Sequence, residues 1–168
     1  IASNKARHLK KSGVQFLNGT DFEKSCPDWD HQLWTLQTSV LKDVPSAIPF
    51  SNIPFEEWRQ YIELHFNNRQ NSLFAVLKGK LIGSLILGKQ KDGIINIEHT
   101  GVDKNYRRMG ISTILKVKAC ALAKADGANT ISTQNHQRNP MLALNFRMGF
   151  QPIETLIEMR VKVTDSGV

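Results

Sequence analysis

The sequence predicts a single domain of mixed helices and strands, α/β or α+β by periodicity alone. Three observations lead there. The 168 residues are 40% hydrophobic, a length and content that suit one proper core rather than two domains. Stretches with apolar residues at helical spacing alternate with short apolar runs bounded by glycine and proline. One stretch, Val102 to Ser112, joins an apolar run to a long amphipathic segment through a short basic turn containing a single glycine.

Residues 6–11 followed by Gly13 have the pattern of a helix end and its glycine stop. Residues 13–17 form a short first strand. Residues 28–43 carry Trp29, Leu33, Trp34, Leu36, Val40 and Leu41 at near-helical spacing. Residues 44–54 contain three prolines and form a loop. A second helix opens at Pro54, with Glu56 and Glu57 in the first turn, where the helix dipole favours negative charge. Residues 73–77 and 81–87 are strands, and Lys78-Gly79-Lys80 suits the hairpin turn between them. A strand over 94–102 leads through the basic turn to a helix that runs to about residue 125, its apolar face formed by Ile111, Ile114, Leu115, Ala119 and Leu122. Residues 130–134 are the next strand, 139–148 a short helix, and 150–163 a final stretch of β-structure. Nothing repeats and no segment is of low complexity.

Composition narrows the function classes. The net charge is +7, which suits nucleic acid, an acidic lipid surface or a polyanionic small ligand. The basic residues are scattered rather than gathered on one helix face, and no aromatic pairs stand beside them for base stacking, which argues against nucleic acid. No apolar run could span a membrane, and the polar N-terminus has no signal-peptide core, so a cytoplasmic protein is expected. The two cysteines, Cys26 and Cys120, give neither a disulfide framework nor metal spacing, and Cys120 lies among Ala119, Ala121 and Leu122 as a buried thiol. Asn18-Gly19-Thr20 matches a glycosylation acceptor, without meaning in a chain that lacks secretion signals. The missing initial Met and the helix end at the first residues suggest that residues 1–12 are the remnant of an upstream helix or lead segment.

The stretch from Val102 to Ser112 carries the chemistry. The first N–H groups of a helix have no intrahelical partner, and the dipole adds partial positive charge there. Gly110 lets the backbone approach an anion closely, and Arg107 and Arg108 supply forked donors for phosphate oxygens. Strand, basic turn and helix together suit a pyrophosphate. Neither a G-x-x-x-x-G-K-S/T loop nor a G-x-G-x-x-G after a strand is present, so the nucleotide P-loop and the Rossmann fingerprint are excluded.

This stretch resembles the acetyl-CoA loop of the GNAT acetyltransferase superfamily, whose pattern is Arg or Gln, two free positions, Gly, one free position, then Gly or Ala. Arg107, Gly110 and Ser112 fall on the fixed positions, with Ser112 in place of the usual Gly or Ala. The run from Thr133 to Phe150 is similar to a second GNAT signature, a strand leading to a short helix that ends in Gly-Phe. Asn135, Asn139, Met141 and Asn145 there, with Thr100-Gly101-Val102 and the Leu115-Lys116 pair, match one branch of the superfamily, some of whose members carry two such domains in tandem. The resemblance covers roughly residues 12 to 163. It implies an α+β fold with a mixed, mostly antiparallel sheet splayed in the middle, helices on both faces, and a CoA thioester wedged between two strands.

It also implies roles. Thr100, Gly101, Val102, Arg107, Arg108, Met109, Gly110, Ile111, Ser112, Asn135 and Asn139 would bind acetyl-CoA. A bulge near Gly101 would expose its backbone N–H to the thioester oxyanion. Asn139, before Pro140, also reads as a helix N-cap. Gly149 reads as the helix stop and Phe150 as a core anchor. Many members have a tyrosine four residues before that glycine to protonate the departing thiolate. Here the position is Asn145, which can hydrogen-bond but carries no acidic proton, so water or another residue would supply it. Tyr106 lies too near the pyrophosphate turn for that task. Only a neutral amine attacks, so a base is needed; Glu98, a carboxylate within an apolar strand, is the first candidate, beside the alternative of a solvated or paired side chain. Strict alternation puts His99 on the other face, and a bulge could change which of the two sees the cleft. His136 is a weaker candidate, and His8, His31 and His65 read as structural or surface.

The acceptor would be a primary amine of a small molecule or peptide, walled by the two helices that carry Trp29, Trp34, Phe55 and Trp58, and by the proline-rich loop with Phe50. Core packing is the alternative reading of those aromatics. The expected protein is an acetyl-CoA-dependent N-acetyltransferase with neither nucleic acid nor membrane as partner, a monomer or homodimer or part of a tandem chain. The alternative is a CoA-binding domain without catalysis, to which Asn145 points.

Overall fold

In the computed structural model, which describes residues 2–44, 53–65 and 70–155, the order of elements follows the alternation of the sequence. Helix α1 (Ala2–Lys11) ends on Gly13 in a left-handed conformation (φ +86°) and leads into strand β1 (Val14–Asn18). Helices α2 (Gly19–Ser25), α3 (Trp29–Leu41) and α4 (Phe55–His65) follow. Strands β2 (Leu73–Leu77), β3 (Lys80–Leu87) and β4 (Ile94–Val102) come next, then a 3-10 turn, helix α5 (Ile111–Ala125), strand β5 (Thr130–Thr133) and helix α6 (Met141–Arg147).

Helix α2 departs from the expectation of two helices after β1. Its N-cap is Asn18, whose Oδ1 accepts from the Asp21 N–H at 2.8 Å. The Asn-Gly-Thr triplet is therefore a helix start. The β-structure expected over 150–163 is absent from residues 151–155, and the remainder lies outside the described residues. Most of the proline-rich loop, with Phe50, also lies outside them.

The sheet has the order β1-β2-β3-β4-β5, antiparallel except for the parallel pair β4–β5. The β2–β3 hairpin turns on Lys78 and Gly79, both at positive φ, the geometry that matches strand twist. Strands β2 and β3 are buried on both sides beyond Lys80 and are correspondingly apolar apart from Ser84. One face packs against α1 and α5 through Leu9, Ile82, Leu85, Ile95, Leu115 and Ala119. The other packs against α2, α3 and α4 through Phe22, Leu33, Leu36, Trp58, Phe74 and Ile86.

The sheet opens between β4 and β5. Strands β4 and β5 pair only from Ile94↔Thr130 to Ile97↔Thr133, while β4 runs on to Val102 along β3 alone. The open segment of β4 ends at the basic turn before α5. No described helix is long and apolar enough to cross a membrane, and no group of His, Cys, Asp or Glu among the described residues could hold a metal ion.

Candidate active site

A cleft of about 270 Å³ lies where β4 hands over to α5. Val102, Tyr106, Arg107, Arg108, Gly110, Ile111, Ser112 and Thr113 line it on one side, with Lys5 of α1 and Leu144 and Arg147 of α6 on the others. None of these residues is acidic, and four are cationic. Gly110 is the N-cap of α5 at φ +91°, so the first turn of α5 opens into the cleft without a side-chain cap. Arg108 is also left-handed (φ +65°), a cost that a non-glycine residue tolerates when the turn around it is held. That hold is visible. Asp103 Oδ1 accepts from the Asn105 N–H at 2.9 Å, and its Oδ2 stands 3.2 Å from Lys80 Nζ, which keeps the Asp103 carboxyl below its ordinary range despite burial.

The two motif arginines differ. Arg107 Nε donates to the Val102 carbonyl at 3.0 Å, and Nη2 donates to Asp43 Oδ2 at 2.5 Å, just past the end of α3. Its charge is offset and two of its donors are used, so much of its work is to staple the turn to β4 and α3. Arg108 and Arg147 are exposed and have no carboxylate partner among the described residues.

The irregularity expected near Gly101 is three residues earlier. Ile86 pairs with His99 but Leu87 with Ile97, so Glu98 is the extra residue of the bulge. Gly101 has a different reason to be glycine. A Cβ there would meet His99 Nε2 at 2.8 Å and Val40 Cγ2 at 2.9 Å, so α3 and His99 press directly on the strand. The Asp103 N–H donates to the Ile82 carbonyl at 3.0 Å. By the alternation of an antiparallel ladder, the peptide groups of Gly101 and His99 then also point to β3, and those of Val102 and Thr100 point into the opening.

Glu98 is exposed at the bulge. The bulge turns His99 to the α3 face, where its Nε2 is buried without a hydrogen-bond partner and burial lowers its pKa to about 4. Ser84 Oγ, opposite Gly101 on β3, and Thr100 Oγ1 are likewise buried and unpartnered.

On the far side of the opening, Asn139 Oδ1 accepts from the Met141 N–H at 2.9 Å and caps α6. Asn135 is half-buried just past β5. Asn145 is buried, outside the cleft lining, with Oδ1 unpaired. Its carbonyl accepts from the Phe150 N–H at 3.1 Å across Gly149 at φ +88°, which closes α6. Lys116 is fully buried with Nζ unpaired, 5.4 Å from the Phe150 ring centroid, and burial lowers its pKa to about 8. His136 is exposed, and its Nδ1 accepts from the Arg138 N–H. Met109 is exposed at the turn and does not line the cleft. Cys120 is only half-buried and Cys26 buried.

The aromatics of α3 and α4 form a packed group. Trp58 is in the core, with Nε1 donating to Gln37 Oε1 at 2.8 Å. His31 stacks on Phe55 at 3.8 Å between centroids, and Trp34 meets Phe55 edge-on. Sequence reasoning missed Lys5, Thr113, Leu144 and Arg147 as cleft residues, and Asp43 as the partner of Arg107. Only Arg147 left a trace, as a cation in the last turn of a helix within the second signature.

Residues 31–150 match the acetyltransferase (GNAT) family, and the chain belongs to it. The fold agrees with solved structures at low identity. A candidate acetyl transferase from Pyrococcus furiosus superposes with a TM-score of 0.65 at 19% identity, covering 88% of this chain and 99% of that one. An aminoglycoside acetyltransferase from an uncultured soil metagenomic sample, in complex with sisomicin, gives 0.57 at 20% identity over 93% and 99%. The aminoglycoside N-acetyltransferase AAC(6')-Iy, in complex with CoA, gives 0.61 at 15% identity over 89% and 93%. No curated protein matches the chain.

Proposed function

We propose that this domain transfers an acetyl group from acetyl-CoA to a primary amine of a small molecule or peptide. The observation that carries this reading is the cleft at the start of α5, cationic on three elements and free of acidic lining, at the end of the strand that parts from β5. A pyrophosphate suits that donor set: uncapped N–H groups of a helix start, the small Ser112 beside Gly110, and the free guanidiniums of Arg108 and Arg147. Acetyl-CoA supplies the activated thioester.

The chain's own residues would do the rest. The outward N–H of Val102 or Thr100, rather than that of Gly101, would receive the developing oxyanion, with the Val102 carbonyl already held by Arg107. Asn135, half-buried just past β5, would supply an amide to the cofactor from the other side. Glu98 takes the proton of the incoming ammonium, as the exposed carboxylate of the β4 bulge, beside Gly88 just past β3. His99 is less suited, since burial under α3 makes it a weak base. Asn145 acts as a positioning group under the Gly149-Phe150 turn, and solvent protonates the leaving thiolate. Trp34 of α3 and Phe55 of α4 would wall the acceptor.

The test is a CoA-release assay with acetyl-CoA over a panel of amino acids, polyamines, aminoglycosides and peptides. Amine-dependent release that Glu98→Gln slows most at low pH would support the assignment. CoA binding with no turnover on any amine would favour a cofactor-binding domain without catalysis.

A further inference from the structure

Arg107, the arginine of the loop motif, has its charge offset by Asp43 and two of its donors engaged. Cationic charge for the cleft must therefore come largely from elsewhere. One source lies outside residues 31–150, the part that matches the family. Helix α1 is anchored by Leu9, 1% exposed in the core shared with α5, and Lys5 stands one turn earlier on the same helical face. That turn brings the Lys5 stem over the start of α5. A Cβ on Gly110 would meet Lys5 Cδ at 2.9 Å, and Lys5 lines the cleft with Arg108 and Arg147. Lys5 is exposed and has no carboxylate partner among the described residues.

We propose that Lys5 is a cofactor-binding residue, and that α1 forms a wall of the CoA site by delivering its ammonium to the pyrophosphate. This rests on the reading of the cleft as a CoA site. The αL glycine and the lysine stem are complementary: any side chain at position 110 would displace Lys5 from the anion cradle.

The experiment is calorimetric titration of the full chain with CoA and with dephospho-CoA, which keeps the pyrophosphate but lacks the 3'-phosphate. Wild type, Lys5→Gln, Lys5→Glu and Lys5→Arg are compared at low and high salt. Reversing one charge in a solvent-open cleft is expected to raise the Kd about tenfold at low salt. The loss should be equal for both ligands, should shrink at high salt, and should be largely recovered by Lys5→Arg. Amide exchange of α1 should slow when CoA binds. Unchanged affinity in both Lys5→Gln and Lys5→Glu would overturn the proposal. A loss confined to CoA would move Lys5 to the outer phosphate and overturn the assignment to the pyrophosphate. A wild-type chain that binds neither ligand would refute the CoA reading itself, a result distinct from either.

Discussion

Replacing Gly101 with alanine tests how tightly α3 and His99 are pressed onto the open segment of β4. The new methyl would lie 2.8 Å from His99 Nε2, 2.9 Å from Val40 Cγ2 and 3.1 Å from Val40 Cγ1, all well inside normal contact. Val40 is only 9% exposed and belongs to the α3 side of the core, so neither neighbour can swing into solvent. Overpacking of this kind costs about 1–3 kcal/mol. For a chain of this length each kcal/mol lowers the Tm by roughly 2–4 °C, so a drop of about 4–8 °C is expected for the middle of that range. Two of the three contacts come from Val40. In a Val40→Ala background, Gly101→Ala should therefore cost at least about 1 kcal/mol less, a coupling that denaturant titration of the four-member cycle resolves. A Gly101→Ala protein as stable as wild type, or a strictly additive cycle, would refute the close approach of α3 to β4.

Other consequences are equally direct. Arg107→Ala should destabilise the domain by about 1–2 kcal/mol, because a hydrogen bond from a charged donor and a half-exposed ion pair both go. Asp43→Ala should cost under about 1 kcal/mol, and equal losses in thermal unfolding would contradict the staple role of Arg107. Lys116 has a folded pKa of about 8, below its ordinary value, so between pH 8 and about 10.5 the unfolded state holds more protons and stability rises with pH. Lys116→Met should flatten that rise and be the more stable protein at pH 7; an identical pH–stability curve would show that Lys116 is not held in an apolar site. His99, with a folded pKa of about 4, has the acid-side counterpart. From about pH 6.5 down to 4 the unfolded state binds the extra proton, so stability falls as pH falls, and His99→Gln should lessen that fall in urea titrations.

Much of the architecture was legible because its signals are local. The left-handed glycines at 13 and 149, the hairpin at Lys78-Gly79 and the apolar faces of α3 and α5 are each written in neighbouring residues. Helix α2 was equally local in origin, yet the Asn18 cap is spelled by the same triplet as a glycosylation acceptor. The loop motif located the cleft. What could not be read was which side chains reach it from afar, because Lys5, Asp43 and Arg147 meet Arg107 and Gly110 only through packing of α1, α3 and α6. The bulge at Glu98 was hidden for a related reason. Register is a property of two strands, and one inserted residue reverses the face of His99 relative to simple alternation.

The central claim is that the start of α5 holds the pyrophosphate of acetyl-CoA, and titration of the wild-type chain and Gly110→Asp with acetyl-CoA tests it most directly. An aspartate there adds a negative charge and a Cβ at φ +91°, in contact with Lys5. Saturable binding by wild type that raises the Tm by several degrees, and that Gly110→Asp abolishes while remaining folded, is the predicted result. No binding by wild type, or the same affinity in both proteins, would contradict it.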